Sequence, residues 1–373
     1  MTLGHVAWER SLGDAARMDG RKLIVVAALA VSLVMLPAAA QDAQQAIRGP
    51  SRVDFPLAQG SSSPSAHTSG DVSGDPVIAA VGDMVCNRGP KEGPVRAPKY
   101  GLCDYMAVSD VVVKGNYDAF FALGDEQYLR GGYQHFMDFY DPSYGRAMDI
   151  TYPILGNHEH YTPGAAGYFE YFGDRAHGPT GYYSFDVGEW HVIALDTQLC
   201  KNKIWYRPTG MVYNLPGWGC KANSPEYKWL RRDLAASSDA ACTMALMHHP
   251  MYKWSYWPIR KDHRIQKPFL KLLQENGADV VLAGHWHNYQ RFEPMNARGK
   301  TDPDGLAEFI VGTGGDTYGP LPTKMPRPEG LTVAHDGSYG VLQMTLHPDS
   351  YDFEFVTAKG QPAFEDSGSA QCH

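Results

Sequence analysis

The sequence predicts an α/β fold with a mixed β-sheet, and three observations support this class. Short apolar runs recur along the chain and most end abruptly at Gly followed by polar residues, which is typical of strands buried on both faces. Stretches with helical character lie between these runs. Two further stretches flank turn residues as antiparallel hairpins do, so the sheet is not purely parallel. Such folds place functional side chains on loops at the carboxyl ends of strands.

The predicted elements follow one another in a regular order. Five apolar runs are predicted strands, at residues 77–81, 119–123, 152–155, 244–247 and 280–283. Four helices are predicted between them, at residues 104–114, 133–140, 225–236 and 266–276. The two hairpins pair residues 182–185 with 191–195 around Gly188, and residues 340–346 with 351–356. No sequence period of 20–50 residues is present, which excludes solenoids and propellers.

The N-terminal region has the organisation of a secretory signal peptide. Arg21 and Lys22 precede a short apolar run, which is followed by small residues ending at Ala40. This order predicts a signal peptide over residues 1–40 with cleavage near Ala40, and an exported, periplasmic or cell-surface protein. An uncleaved anchor is the alternative, although the run is shorter than the roughly 20 apolar residues of a membrane span. Residues 41–75 are rich in Ser, Gly and Pro and predict a flexible leader.

Composition excludes several classes of protein. The chain has 373 residues, 43% of them apolar, and this is enough to bury a large core. Its net charge of −8 gives its surface no electrostatic reason to bind nucleic acid or anionic lipid. We therefore expect a phosphate-binding function only if the site carries its own cations.

Six cysteines follow the predicted signal peptide, and an even number in an exported protein favours disulfides. Fifteen pairings of six cysteines exist, and the sequence alone does not choose among them. We expect each cysteine to pair with the next along the chain. The expected pairs are Cys86–Cys103, Cys200–Cys220 and Cys242–Cys372.

Polar side chains with metal-binding chemistry follow five of the predicted strands. These side chains are Asp83, Asp125, Tyr128, Asn157, His158, His248, His249, His285 and His287. A single His or a single Gly-Asp after a strand is weak evidence, because both are common in turns. Five such strand ends in one chain predict a metal site. Mixed imidazole and carboxylate ligands suit zinc, manganese or iron, whereas calcium prefers oxygen ligands alone.

The same residues carry a family resemblance. The ordered blocks Gly82-Asp83, Gly124-Asp125-x-x-Tyr128, Gly156-Asn157-His158-Glu159, a His two residues before Pro250, and Gly284-His285-x-His287 resemble the motifs of calcineurin-like metallophosphoesterases. Tyr128 and the Asn-Tyr-Gln-Arg segment after His287 are most similar to the purple acid phosphatase branch, in its secreted bacterial form. The resemblance extends from about residue 77 to residue 356. It implies two mixed sheets packed as a β-sandwich and flanked by helices in four layers, α/β/β/α, with residues 76–373 as the catalytic domain.

The resemblance also implies a dinuclear metal centre. One metal would be held by Asp83, Tyr128 and His287, the other by Asn157, His248 and His285, and Asp125 would bridge both. Related branches place a His two residues after the first Asp, where this chain has Val85, so Tyr128 would replace that ligand. A phenolate ligand requires a strongly Lewis-acidic ion, which indicates Fe(III) paired with a divalent Fe, Zn or Mn ion. His249 would be a neighbour of the site, with an imidazole available to substrate.

The implied activity is hydrolysis of a small phosphate monoester by a metal-bound hydroxide. His158 resembles the catalytic His that protonates the leaving group, and Glu159 or another carboxylate would orient it. Plant-type relatives carry two further histidines after the fourth block, whereas this chain has residues 254–258, Trp-Ser-Tyr-Trp-Pro. His263 lies further on and is the remaining candidate for that role. This departure leaves monoester and diester preference open.

Three other functions compete with this interpretation. A phosphodiesterase or nucleotide hydrolase would use the same site. A non-catalytic surface-binding module would be expected to have lost ligands, and none is missing. A zinc peptidase is suggested by His158-Glu159-His160, but the spacing differs from the His-Glu-x-x-His that places two imidazoles on one helix face. The sequence does not indicate an oligomeric state.

Overall fold

The computed structural model describes residues 74–86, 96–97, 101–201, 203–206, 211–214, 220–256 and 260–373. The predicted signal peptide lies outside these residues, as does the predicted leader except for its last two positions. Residues 68–373 form a compact unit. Within the described ranges, none of the helices combines the length and the hydropathy that a bilayer-spanning segment needs.

Strands dominate the architecture. Those of the described residues are β1 (Val77–Val81), β2 (Arg96–Ala97), β3 (Gly101–Leu102), β4 (Ala119–Ala122), β5 (Thr151–Pro153), β6 (Tyr183–Val187), β7 (Trp190–Leu195), β8 (Lys203–Tyr206), β9 (Met211–Asn214), β10 (Cys242–Met247), β11 (Val280–Ala283), β12 (Tyr289–Met295), β13 (Leu306–Val311), β14 (Leu331–His335), β15 (Gly340–Leu346), β16 (Ser350–Thr357) and β17 (Ser367–Gln371). All five predicted strands and both predicted hairpins are confirmed. The positive φ of 59° at Gly188 makes the tight turn between β6 and β7 possible.

Four of the five helices lie where helices were predicted, though not always with the predicted length or type, and α3 was not predicted. They are α1 (Tyr105–Lys114), α2 (Tyr133–His135), α3 (Ala166–Phe172), α4 (Pro225–Ala236) and α5 (Arg260–Glu275). Helix α2 continues as a π-helical segment over Phe136–Tyr140. Helix α5 begins six residues before the predicted start at 266, and it contains Pro268, which removes one backbone donor without ending the helix here.

Two mixed sheets carry the fold. The first has the order β17-β16-β15-β1-β4-β5, in which β1, β4 and β5 are parallel and β15 runs antiparallel to β1. The second has the order β14-β12-β13-β11-β10-β7-β6, with a parallel centre formed by β7, β10, β11 and β13. This architecture confirms the predicted fold class of two mixed sheets flanked by helices.

The alternation of side chains along the second sheet separates two apolar cores. Met244, Leu246 and Leu282 belong to a large core shared with residues of the first sheet. Ala245 and Met247, one position further along β10, belong to a second core with residues of α4 and α5. Because neighbouring strand residues face opposite sides of a sheet, the central strands are apolar on both faces. Their carboxyl ends are therefore free to carry the polar chemistry.

Three disulfides close the chain, and all three expected pairs are confirmed: Cys86–Cys103, Cys200–Cys220 and Cys242–Cys372. The third joins the start of β10 to the C-terminus across 130 residues. Asp279 reinforces this junction, since one carboxylate oxygen accepts the Thr243 backbone N–H at 2.8 Å and the other accepts the His373 backbone N–H at 2.8 Å.

Candidate metal centre

The predicted ligands lie at the carboxyl ends of the strands that precede them. Asp83 follows β1, Asp125 follows β4, and the two loops run side by side, with the Asp83 backbone N–H donating to the Gly124 carbonyl at 3.1 Å. The remaining predicted ligands follow β5, β10 and β11: Asn157, His248, His285 and His287. The parallel centre of each sheet thus places residues that are distant in sequence at one edge of the fold.

Three of these residues have an unusual backbone. Asp83, Asp125 and His285 have φ values of 58°, 50° and 71°, in the left-handed region that non-glycine residues rarely adopt. Such conformations cost free energy and concentrate at functional sites, where the surrounding structure holds them.

The recurrent glycine before a polar residue has a steric reason at two positions. A Cβ atom on Gly124 would lie 2.7 Å from His248 Nδ1, and the φ of Gly124 is 79°. A Cβ atom on Gly156 would collide with the backbone nitrogen of Asp125. Glycine is therefore needed at both positions for the loops to approach each other.

One group of side chains surrounds the Tyr128 hydroxyl. This hydroxyl donates to Asp83 Oδ1 at 2.9 Å or to Asp125 Oδ2 at 3.1 Å, and its oxygen lies 3.0 Å from His287 Nε2. His287 Nε2 is also 3.3 Å from Asp83 Oδ1. The ligands predicted for the first metal therefore lie together around the Tyr128 hydroxyl oxygen.

A second group meets on the other side of Asp125. His248 Nε2 lies 3.2 Å from Asp125 Oδ2 and 3.3 Å from His285 Nδ1. The same carboxylate oxygen therefore faces Tyr128 in the first group and His248 in the second. This is the arrangement expected of a bridging carboxylate between two ions about 3.5–4 Å apart.

The residues present fit a metal centre. Asp83 Oδ2 and Asn157 Oδ1 are buried, and neither has a hydrogen-bond partner among the described residues. Buried acceptors are normally satisfied, so these two oxygen atoms fit the role of ligands to a cation. One possible ligand atom from each of Asp83, Asp125 and His248 lies within 4.8 Å of the other two. The same holds for His248, His249 and His285.

The electrostatics of the site agree with a demand for positive charge. Burial opposes protonation of His248 and His287, but the neighbouring carboxylates outweigh it and raise their pKa values to about 9 and about 10. Asp125 is buried as well, yet the positive charge of His248 and His158 lowers its pKa. Burial, and then the charges of Asp125 and Asp83, raise the pKa of Tyr128 well above its usual value.

Backbone carbonyls orient two of the imidazoles. His248 Nδ1 donates to the Leu123 carbonyl at 2.9 Å, and His287 Nδ1 donates to the Thr317 carbonyl at 2.5 Å. In each ring the Nε2 atom is then left facing the carboxylates. Such partners fix the tautomer and the direction of a metal-binding imidazole.

His158 lies beside the two groups. Its backbone N–H donates to Asp125 Oδ1 at 2.8 Å, and its ring packs on Tyr128 with centroids 4.2 Å apart. Nδ1 lies 2.8 Å from the Leu129 carbonyl, and Nε2 lies 3.9 Å from Asp125 Oδ2. A carbonyl, rather than a carboxylate, therefore orients this ring.

The expectation that Glu159 orients His158 is wrong. Glu159 is fully buried and accepts backbone N–H groups, from Asp125 at 3.0 Å, Gly156 at 2.9 Å and Gln127 at 3.2 Å. Its two oxygens accept hydrogen bonds from backbone N–H groups of two ligand loops, and these bonds hold the two loops together. Its neighbours form a short 3₁₀ segment, Glu159–Tyr161, instead of the α-helix that a zinc peptidase motif requires.

Sequence reasoning missed Asp316 and Lys253 near the centre, whereas it listed His249 as a neighbour of the site. Asp316 Oδ2 lies 3.5 Å from His287 Nδ1, after the Gly312–Gly315 strand end. His249 Nδ1 lies 2.9 Å from Thr197 Oγ1, and its buried Nε2 has no partner within the described residues. The ammonium group of Lys253 lies over the ring of Trp286. In the sequence, Trp286 stands between the predicted ligands His285 and His287. Of the two missed residues, only Asp316 had a sequence signal, because it is a polar residue that follows a strand. The side chains of Trp257 and His263 lie outside the described ones.

Comparison with known proteins identifies the family. The sequence profile of the calcineurin-like phosphoesterases matches residues 76–289, more than half of the chain. The chain belongs to the calcineurin-like phosphoesterase family. The match ends two residues after His287, so it includes all seven predicted ligands and His158.

The curated relatives of this family member are purple acid and other acid phosphatases. Purple acid phosphatase 21 of Arabidopsis thaliana is 28% identical over 162 residues, which cover 43% of this chain and 32% of the relative. An acid phosphatase of Aspergillus ficuum is 28% identical over 145 residues, which cover 32% of this chain and 23% of the relative. The chain thus spans about a third or less of the length of these relatives.

Solved structures confirm the fold of the family. A purple acid phosphatase from yellow lupin (Lupinus luteus) seeds matches with a TM-score of 0.57 and 16% identity, over 79% of this chain and 53% of that one. GAP50 of Plasmodium, described as the anchor in the inner membrane complex, matches with a TM-score of 0.56 and 14% identity. That match covers 80% of this chain and 90% of GAP50. At these identities the likeness concerns the fold alone.

Proposed function

We propose that this chain is a secreted dinuclear-metal phosphoesterase that hydrolyses phosphate monoesters. The observation that carries the proposal is the position of Asp125 Oδ2, 3.1 Å from the Tyr128 hydroxyl and 3.2 Å from His248 Nε2. One carboxylate oxygen serves two ligand groups there, and each group contains residues of the predicted set. The similarity to plant and fungal acid phosphatases supports the same assignment.

The chain's own residues define what each would do. Asp83, Tyr128 and His287 would hold one ion, Asn157, His248 and His285 the other, and Asp125 both. When bound, two metal ions supply Lewis acidity, which lowers the pKa of water and neutralises charge on phosphate. As an imidazolium, His158 would give its Nε2 proton to the leaving-group oxygen, while its Nδ1–H stays hydrogen-bonded to the Leu129 carbonyl.

Export is supported by the three disulfides and by the pattern of the N-terminal sequence. Three disulfides persist in oxidising compartments and are rare in a reducing cytosol. Together with the basic flank, apolar run and small residues before Gln41, they support a signal peptide over residues 1–40. We propose that the mature protein has a leader over residues 41–75 and a catalytic domain over residues 76–373.

The proposal is tested on the exported chain after reconstitution with Fe(III) and a divalent ion. We expect about two metal ions per chain, with hydrolysis of p-nitrophenyl phosphate exceeding that of bis-p-nitrophenyl phosphate. A higher rate with the diester would instead establish the phosphodiesterase alternative. Two bound metals without turnover of either substrate or of a nucleotide would favour a non-catalytic binding module.

The identity of the first metal is tested through Tyr128. Burial and two carboxylates disfavour the phenolate, so only a strongly Lewis-acidic ion such as Fe(III) would deprotonate this residue. We expect a visible tyrosinate-to-iron charge-transfer band in the iron-loaded protein and its loss in Tyr128→Phe. Tyr161→Phe is the matched control and should retain the band, since it removes a different phenol, whose hydroxyl lies 3.4 Å from Asn157 Nδ2. A band that survives in Tyr128→Phe would contradict the assignment.

A further inference from the structure

A buried histidine, His160, directly follows the motif block at residues 156–159, and the proposed chemistry does not use it. Only 6% of its surface is exposed. Its Nε2 lies 2.8 Å from Oδ2 of Asp196, which is itself 1% exposed. Because a carboxylate only accepts hydrogen bonds, Nε2 carries the proton and donates it. Bonds of this kind to a carboxylate are among the stronger ones in proteins.

This hydrogen bond joins the two sheets at the edge that carries the candidate metal centre. His160 lies on the loop after β5, a strand of the first sheet, whereas Asp196 directly follows β7 of the second sheet. Strand β7 pairs in parallel with β10, with Leu195 opposite Met247. Asp196 and the predicted ligand His248 therefore follow opposed positions at the carboxyl ends of neighbouring strands.

Asp196 is a fixed acceptor. Its backbone N–H donates to Oε1 of Glu226, in the first turn of α4, at 2.8 Å. The next residue, Thr197, is tied to the fourth motif block, because its Oγ1 accepts the His249 backbone N–H at 3.1 Å and lies 2.9 Å from His249 Nδ1. His249 adjoins the predicted ligand His248. The loop after β7 is thus a rigid support for whatever His160 positions.

The third motif block is held from both sheets by consecutive side chains. Glu159 accepts backbone N–H groups of the loop after β4, in the first sheet. His160 reaches in the other direction, to the second sheet. The predicted ligand Asn157 lies in this block, whereas its partners at the second ion, His248 and His285, follow strands of the second sheet. The His160 bond therefore controls how the amide of Asn157 is placed relative to their imidazoles.

We propose that His160 and Asp196 are a positioning pair, whose hydrogen bond holds the Asn157 amide at the site of the second ion. This inference rests on the proposed dinuclear centre and adds to it two residues that are not predicted ligands. Asn157 is the predicted ligand that neither group around Asp125 includes, so it needs an anchor to the second sheet of its own. Partners outside the ligand set commonly change metal affinity by 10–100-fold.

The test is the dissociation constant for Zn²⁺, measured by titrating the iron-loaded full chain. His160→Leu and His160→Asn both remove the bond to Asp196, and the second keeps a polar side chain at the buried position in case the first fails to fold. His160→Gln is the conservative variant, because its longer amide places an N–H near the position of Nε2. We expect the constant to rise about tenfold in the first two variants and to stay within about threefold in His160→Gln.

His191→Leu is the matched control. His191 is also buried and bound to carboxylates, Asp186 at 2.9 Å and Asp233 at 3.0 Å, but it lies near the amino end of β7, opposite to Asp196. We expect its Zn²⁺ affinity to match that of the wild type. The tyrosinate-to-iron band should be unchanged in all four variants, since the first ion does not depend on Asn157.

Each outcome decides for or against the positioning role. Unchanged Zn²⁺ affinity in His160→Asn would overturn it, and so would an equal loss in His191→Leu, which would follow from lost stability alone. Zn²⁺ affinity that depends on His160 in a protein without turnover would support the inference while the proposed function fails. Normal turnover with unchanged Zn²⁺ affinity in both disrupting variants would support the function and reject the pair.

Discussion

Asp125→Asn is expected to lower kcat for p-nitrophenyl phosphate about 10³-fold and to remove at least one metal ion per chain. The substitution keeps an oxygen for the His158 backbone N–H, which Asp125 Oδ1 accepts at 2.8 Å. It replaces the second oxygen, Oδ2, by an NH₂ group, whose nitrogen has no lone pair available to bind a cation. The two ligand groups then lose the atom that both share, while the loop geometry is preserved. Metal content by elemental analysis and steady-state kinetics measure the two effects.

Asp279→Asn is the matched control for this variant. Asp279 is also a buried carboxylate that accepts backbone N–H groups, but it precedes β11 and therefore lies at the opposite end of that strand from His285. We expect this variant to keep its metals and its kcat, whatever it loses in stability. Asp125→Asn protein that retains both metals and at least half of the wild-type turnover would contradict the bridging role.

His158→Gln is expected to lower kcat about 10²–10³-fold while leaving both metals in place. Only the backbone of His158 contacts the predicted ligand Asp125 by a hydrogen bond, and its ring nitrogen is bound to the Leu129 carbonyl. Removing the ring removes a proton donor but no ligand. The loss should be larger for an alkyl phosphate than for p-nitrophenyl phosphate, because a poor leaving group depends more on protonation.

His135 is exposed on α2, and His135→Gln is the control for the His158 variant. It should leave kcat unchanged for both the alkyl phosphate and p-nitrophenyl phosphate. Equal losses of kcat with the alkyl and the aryl substrate would argue that His158 binds phosphate instead of protonating the leaving group. Loss of a metal ion in His158→Gln would instead place His158 among the ligands.

Much of the fold was predictable because its signals are local. A short apolar run ending in Gly identifies a doubly buried strand, and all five predicted strands are present. Of the strands in the two large sheets, β12, β13, β14 and β17 were not predicted. For β14 and β17, which are edge strands, the reason is that little of either strand is buried and the apolar pattern is weak. The start of α5 was predicted six residues too late, because five of the residues 260–265 are charged or polar and give no apolar helical pattern.

The candidate site was also predictable only in part. Ligand types at strand ends are a property of the sequence, and the structure brings six of the seven predicted ligands, all except Asn157, together in two groups around Asp125. Their roles remain predictions until metals are measured. Glu159 was assigned wrongly because adjacency in sequence suggested contact with His158, whereas the chain turns and directs the carboxylate to three backbone amides. Lys253 carried no sequence signal, since an isolated lysine in a loop is ordinarily exposed.

The sequence by itself determined which residues end each strand, and therefore which chemistry is available at the edge of the sheets. Tertiary structure alone decided that one oxygen of Asp125 faces both Tyr128 and His248, and that the Lys253 ammonium group lies over the Trp286 ring. The physical reason is the range of the interactions. Strand patterning depends on neighbours two residues apart, whereas these contacts join residues of different strands whose spacing is fixed only when both sheets pack.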